Sequence, residues 1–92
     1  MKVLQIPQRS KRKVFYSFNN EKITVNLNGQ FDTFDFSTFE EGAIFEGVET
    51  DLPINPLVSA KREKGVLFVE LLNFIDKDAT EEEKFPTWQG VS

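Results

Sequence analysis

Between Lys13 and Phe36 apolar and polar residues exchange places at almost every step. Val14, Tyr16 and Phe18 alternate with Phe15 and Ser17. Ile23, Val25 and Leu27 alternate with Thr24 and Asn26, and Phe34 and Phe36 with Thr33 and Asp35. A period of two puts successive side chains on opposite faces of a strand, so this pattern predicts strands with one buried side. Asn19-Asn20 and Asn28-Gly29 lie between the runs and tolerate the positive φ of a two-residue hairpin turn. The prediction is a three-stranded antiparallel meander. Turns at those places set Tyr16 opposite Ile23, Val14 opposite Val25, and Ile23 opposite Phe34, all on one apolar face. Lys22 and Asp35 form a cross-strand pair on the other face, which also carries Phe15 and Phe31. Asp32 is the misfit: it falls opposite Val25 on the apolar side, and a bulge at Gly29–Gln30 would move it.

Further along, Ser37-Thr38-Phe39-Glu40 has the form of a capping box and Gly42 that of a stop, with room for one turn between β elements. Residues 43–50 alternate loosely, as a short strand would. Pro53 and Pro56 make an extended connector, because each restricts the residue before it. Leu57 to Phe74 forms a second hairpin turning at Lys64-Gly65, with Val58 and Ala60 facing Leu71 and Val69. Leu57 then shares the opposite face with Val66, Phe68 and Leu72. The run Val66–Leu72 is apolar on both faces, which places it centrally in the fold. A short helix begins at an acidic cap, Asp78, carries acids in its first turn and ends at Lys84, stopped by Pro86. The expected fold is mainly β: a small antiparallel meander plus a second hairpin, sandwich- or barrel-like, with one short C-terminal helix.

A chain of 92 residues makes one domain and buries only about two-thirds of its unfolded surface. It has no cysteine to staple it, so burial of its ten phenylalanines must carry much of its stability. The absence of histidine and cysteine removes the commonest acid–base, nucleophilic and metal-ligating groups. Glu40-Glu41 and Glu81-Glu82-Glu83 sit beside helix starts, where anions are stabilised without any catalytic role. Asp76 and Asp78 lack the glycine and the terminal glutamate of a calcium loop. The five glycines do not cluster into a phosphate loop. Neither an enzyme, nor a cofactor, nor a small-molecule substrate is expected.

Charge is uneven. Lys2, Arg9, Lys11, Arg12 and Lys13 give the first thirteen residues +5, whereas the rest hold 6 basic and 15 acidic side chains, a net of −9. The division that follows is a basic, mobile N-terminal arm over residues 1–12 and a single β-rich domain over 13–92. Arg9, Lys11, Arg12 and Lys13 with Phe15 are candidate contacts for nucleic acid or for a protein partner. Nucleic acid is the less favoured of the two, because an acidic body repels it. Phe85 and Trp88 form a candidate partner-docking tail, with packing onto the domain's own sheet as the plainer expectation. No stretch has the form of a signal peptide or the length of a membrane span.

Leu52-Pro53-Ile54-Asn55-Pro56, Ser59-Ala60-Lys61-Arg62, Val69-Glu70-Leu71-Leu72-Asn73-Phe74-Ile75 and the closing Ala79-Thr80-Glu81-Glu82-Glu83-Lys84-Phe85-Pro86-Thr87-Trp88 resemble small proteins of bacteriophages and prophages of Gram-positive bacteria. The resemblance covers about Val14 to Val91 and leaves the basic arm outside. It implies a context, the bacterial host cytoplasm or a virion, and a place among virion or tail-assembly proteins. It implies no residue's role. The expected function is that of a non-catalytic interaction or structural protein that binds a protein partner or itself. The alternative is a nucleic-acid-binding accessory protein using the basic arm.

Overall fold

A computed structural model describes residues 1–92. Its elements follow in the order β1 (Lys2–Arg9), β2 (Val14–Asn19), β3 (Lys22–Leu27), β4 (Gln30–Asp35), β5 (Leu57–Glu63), β6 (Val66–Ile75), α1 (Glu81–Lys84) and β7 (Gln89–Gly90). They make two sheets, β5-β6-β1-β7 and β2-β3-β4, so the chain is mainly β with one short C-terminal helix. The sheets share one core. Ile23, Val25, Leu27 and Phe34 come from the smaller sheet, and Val3, Leu57, Ala60, Leu67, Val69 and Leu71 from the larger. Only 13 of the 92 residues are buried, so each large one matters; full burial of a Leu or Val contributes about 1.5–3 kcal/mol.

The meander forms, with one turn displaced. Asn28 and Gly29 take φ of 50° and 88°, and the β3–β4 register sets Ile23 opposite Phe34 and Lys22 opposite Asp35. Between β2 and β3 the turn lies at Asn20-Glu21, φ 49° and 69°, rather than Asn19-Asn20. Phe18 therefore faces Ile23, Tyr16 faces Val25 and Val14 faces Leu27. A slip of two residues preserves every side chain's face. Asp32 does fall opposite Val25, without a bulge, because Thr50 Oγ1 donates to its carboxylate at 2.6 Å and the Thr33 N–H at 2.8 Å. Lys22 and Asp35 face each other but close no ion pair. The Ser37 N–H donates to Asp35 instead, at 2.9 Å, and holds its carboxyl below the usual range.

The first residues overturn the expected arm. Lys2–Arg9 is a strand, parallel to β6 and placed between β6 and β7, with Val3 only 2% exposed. Ser10 N–H bonds to the Ile75 carbonyl and Val91 N–H to the Met1 carbonyl. Even-numbered residues of β1 thus turn their backbone groups to β6, and odd-numbered ones turn theirs away. Pro7, which has no N–H, sits on the outward side, where no bond to β6 is lost.

In the second hairpin Lys64 and Gly65 form the turn, with φ of 50° and 80°, and Ala60 faces Val69 as expected. A bulge between Leu57 and Ser59 sets Leu57, not Val58, opposite Leu71. Leu57 is consequently buried and Val58 exposed, the reverse of a regular register. β6 lies centrally, and its Leu67, Val69 and Leu71 are wholly buried. Residues 43–50 form no strand; Phe45 and Val48 of this connection pack against the core instead.

The helix starts two residues later than the acids suggest. Thr80, not Asp78, is its cap: the Thr80 hydroxyl accepts from the Glu83 N–H and the Glu83 carboxylate accepts from the Thr80 N–H. Beyond it β7 pairs antiparallel with Lys2 and Val3, and Trp88 meets Phe68 edge-on, ring centres 5.5 Å apart. Trp88→Ala should uncover Phe68 and lower stability in urea unfolding by about 1 kcal/mol, the scale of one half-buried aromatic contact.

Candidate functional site

The outer face of the β2-β3-β4 sheet is ordered in rows. Its register sets Phe15, Asn26 and Phe31 across one row and Ser17, Thr24 and Thr33 across the next. Thr24 and Thr33 hydroxyls lie 3.1 Å apart and hydrogen-bond across the strands. Phe15 and Phe31 are 63% and 68% exposed, while Ile23, Val25 and Leu27 on the reverse of the same sheet are sealed. Two strand spacings separate the two phenylalanine backbones, about 10 Å. A surface of small polar side chains bearing two rings in water results.

Lys13 continues this face at one end. Its N–H donates to Asn28 Oδ1 at 2.9 Å and its carbonyl accepts from Asn28 N–H at 3.0 Å. Arg12 N–H donates to the Ser10 hydroxyl at 3.1 Å. These bonds tie down the link between β1 and β2, so Lys11, Arg12 and Lys13 project from a defined loop at the margin of the face. Neither row carries an acid; Asp35 stands at the opposite corner, in the row of Asn19 and Lys22. Arg9 lies elsewhere. With Lys11 it borders a shallow depression of about 500 Å³ that also takes in Asp76 and Lys77.

The two aromatic residues of the tail do not act together. Trp88 packs on Phe68 of its own sheet, whereas Phe85 is 72% exposed and borders a groove of about 530 Å³ beside β1. That groove is walled by Gln5, Asn73, Glu82 and Thr87, among others, and the hydroxyl–carboxylate contact in its wall, Thr80 to Glu83 at 3.2 Å, belongs to the cap of α1. No three acidic groups gather where they could hold a metal ion. No helix is long and apolar enough to cross a membrane.

Sequence reasoning did not find the most connected polar residue, Arg62. Its guanidinium grips Glu21 through both terminal nitrogens, at 2.9 and 3.0 Å, and donates to the carbonyls of Phe36, Phe39 and Gly65. Nothing local marks it, because its partners lie on the β2–β3 turn, the β5–β6 turn and the chain beyond β4. It is a structural clasp: all five N–H donors are occupied within the molecule, and none is left for a ligand. Compared with protein-family models, with curated proteins and with solved structures, the chain matches none.

Proposed function

We propose that this chain is a non-catalytic interaction protein of a phage or prophage, working in the bacterial host cytoplasm or in the virion. Its contact surface is the outer face of the β2-β3-β4 sheet. The observation that carries this reading is the pair Phe15 and Phe31, held in water on a sheet whose other side buries Ile23, Val25, Leu27 and Phe34. Ser17, Thr24, Asn26 and Thr33 around them supply hydrogen-bonding groups without charge, a surface suited to another protein. The resemblance to small phage proteins points the same way. A second reading, single-stranded nucleic acid stacked on the two rings, is favoured by the acid-free rows beside Lys11, Arg12 and Lys13.

A photo-crosslinking residue at position 31, introduced in producing cells, should give a discrete protein adduct. The same residue at position 44, where Ile44 is 81% exposed on a connection, should not. An adduct with nucleic acid transfers the assignment to the second reading, and no adduct from position 31 removes both. Phe15→Ser should change stability by no more than about 0.5 kcal/mol while reducing the adduct from position 31, since its ring is 63% exposed and not packed.

A further inference from the structure

The free edges of the two sheets are not equivalent. On β4 the Thr33 N–H is taken by the Asp32 carboxylate, and the Ser37 N–H just beyond the strand by that of Asp35. Thr50 fastens the 43–50 connection to Asp32 on the same strand. β5 is bent by its bulge and carries Lys61, Arg62 and Glu63 in succession. β1 is covered by β7 at Lys2–Val3 and then interrupted by Pro7 on its outward side. Aspartates, a bulge, a charge run and a proline are the means by which sheet edges avoid pairing.

β2 has none of these. Asn28 N–H bonds to the Lys13 carbonyl, so odd-numbered residues of β2 turn their backbone groups to β3 and Val14, Tyr16 and Phe18 turn theirs outward. No backbone bond outside the ladders uses the N–H or carbonyl of these three residues. No residue from Val14 to Phe18 is charged or proline. Their inward side chains are only half-buried, unlike those of β3, so apolar surface continues to the edge.

We infer that β2 pairs antiparallel with the β2 of a second copy, across a two-fold axis at Tyr16, joining the two small sheets into one of six strands. That register sets Tyr16 against the partner's Tyr16 and Val14 against the partner's Phe18, and engages all three outward residues of each copy. Registers displaced by one or two residues leave some of them unpaired. Six backbone hydrogen bonds form, and the half-buried Val14 and Phe18 cover each other. Lys13 meets the partner's Asn19, so no like charges oppose. The strand pair is small against the area of a stable dimer, so association is weak and reversible. This goes beyond the interaction reading by adding a second contact, with another copy of the chain, and it uses backbone groups rather than the aromatic face, so either can fail alone.

Sedimentation should show a mass rising from one copy toward two as concentration increases. Val14→Pro removes an outward N–H without losing a bond to β3, as Pro7 does on β1, and should hold the protein monomeric with its melting in dilute solution retained. A second measurement does not depend on that variant. The chain has no cysteine, and the register places position 15 against position 17 of the partner subunit as a non-hydrogen-bonded pair, about 4.5 Å between Cα atoms and within disulfide reach. On mild oxidation, a mixture of Phe15→Cys and Ser17→Cys proteins should give mainly the mixed disulfide. A single-copy mass at every concentration, or like disulfides forming as readily as mixed ones, overturns the inference. Neither result touches the broader reading, which the adduct at position 31 decides separately.

Discussion

Arg62→Ala should lower the stability of this domain by about 2–4 kcal/mol, a large fraction of the total expected for a chain of this size. The substitution leaves the Glu21 carboxylate without its partner and strips three backbone carbonyls of a charged donor. Arg62 and Glu21 side chains are 14% and 27% exposed, so water replaces these bonds only in part. On a domain of this length the loss corresponds to a fall in Tm of roughly 10–20 °C. Arg62→Lys should recover less than half of it, since an ammonium cannot span both carboxylate oxygens and the Phe39 carbonyl together. The same contact sets an acid limit. Hydrogen bonds from Arg62 hold the Glu21 carboxyl below its usual range. Its folded pKa is below the unfolded one, so the stabilisation is present above the ordinary carboxylate range and is lost as pH falls through the folded value. Urea unfolding from pH 7 to pH 3 should show a shallower acid loss in Glu21→Gln, from a lower starting stability.

The clasp also accounts for the displaced turn. Asn19-Asn20 is the better pair of residues for positive φ, and a glutamate at φ 69° costs about 1–2 kcal/mol. Arg62 offsets that cost by holding Glu21 on the turn. Its contribution comes from 41 residues away, so no local pattern shows it. Elsewhere local chemistry was sufficient. Asn28-Gly29, Lys64-Gly65 and the alternation of β3 state their own geometry, and each forms as expected. β1 was hidden for the opposite reason. It pairs in parallel with a strand more than sixty residues later, and its charges and proline suggest a solvated arm. The aromatic face was legible, because period two alone sends Phe15 and Phe31 outward. The separation of Trp88 from Phe85 was not, since it depends on where β7 joins the larger sheet.

Tyr16→Phe should cost about 1–3 kcal/mol although it removes one oxygen and leaves every apolar contact in place. Leu72 N–H bonds to the Pro56 carbonyl at 2.8 Å, the position at which a ladder partner would donate back to the Leu72 carbonyl. Residue 56 is proline and has no N–H to give. The Tyr16 hydroxyl, reaching across from the smaller sheet, donates to that carbonyl instead. The phenylalanine variant leaves it without a protein donor in a part-buried place and separates β2 from β6. Burial also pushes the Tyr16 phenol well above its ordinary value near 10, since a phenolate there would be desolvated. The folded pKa exceeds the unfolded one, so the stabilisation is complete below about pH 10 and is lost as pH rises beyond it toward the folded value. Tyr16 is the only tyrosine in the chain, so phenolate absorbance reports on this group alone. In urea it should titrate near pH 10. In the native protein it should stay silent there and appear, at higher pH, together with the loss of β structure. A native titration near 10, or a phenylalanine variant as stable as the parent at pH 7, would show that this hydroxyl does not join the two sheets.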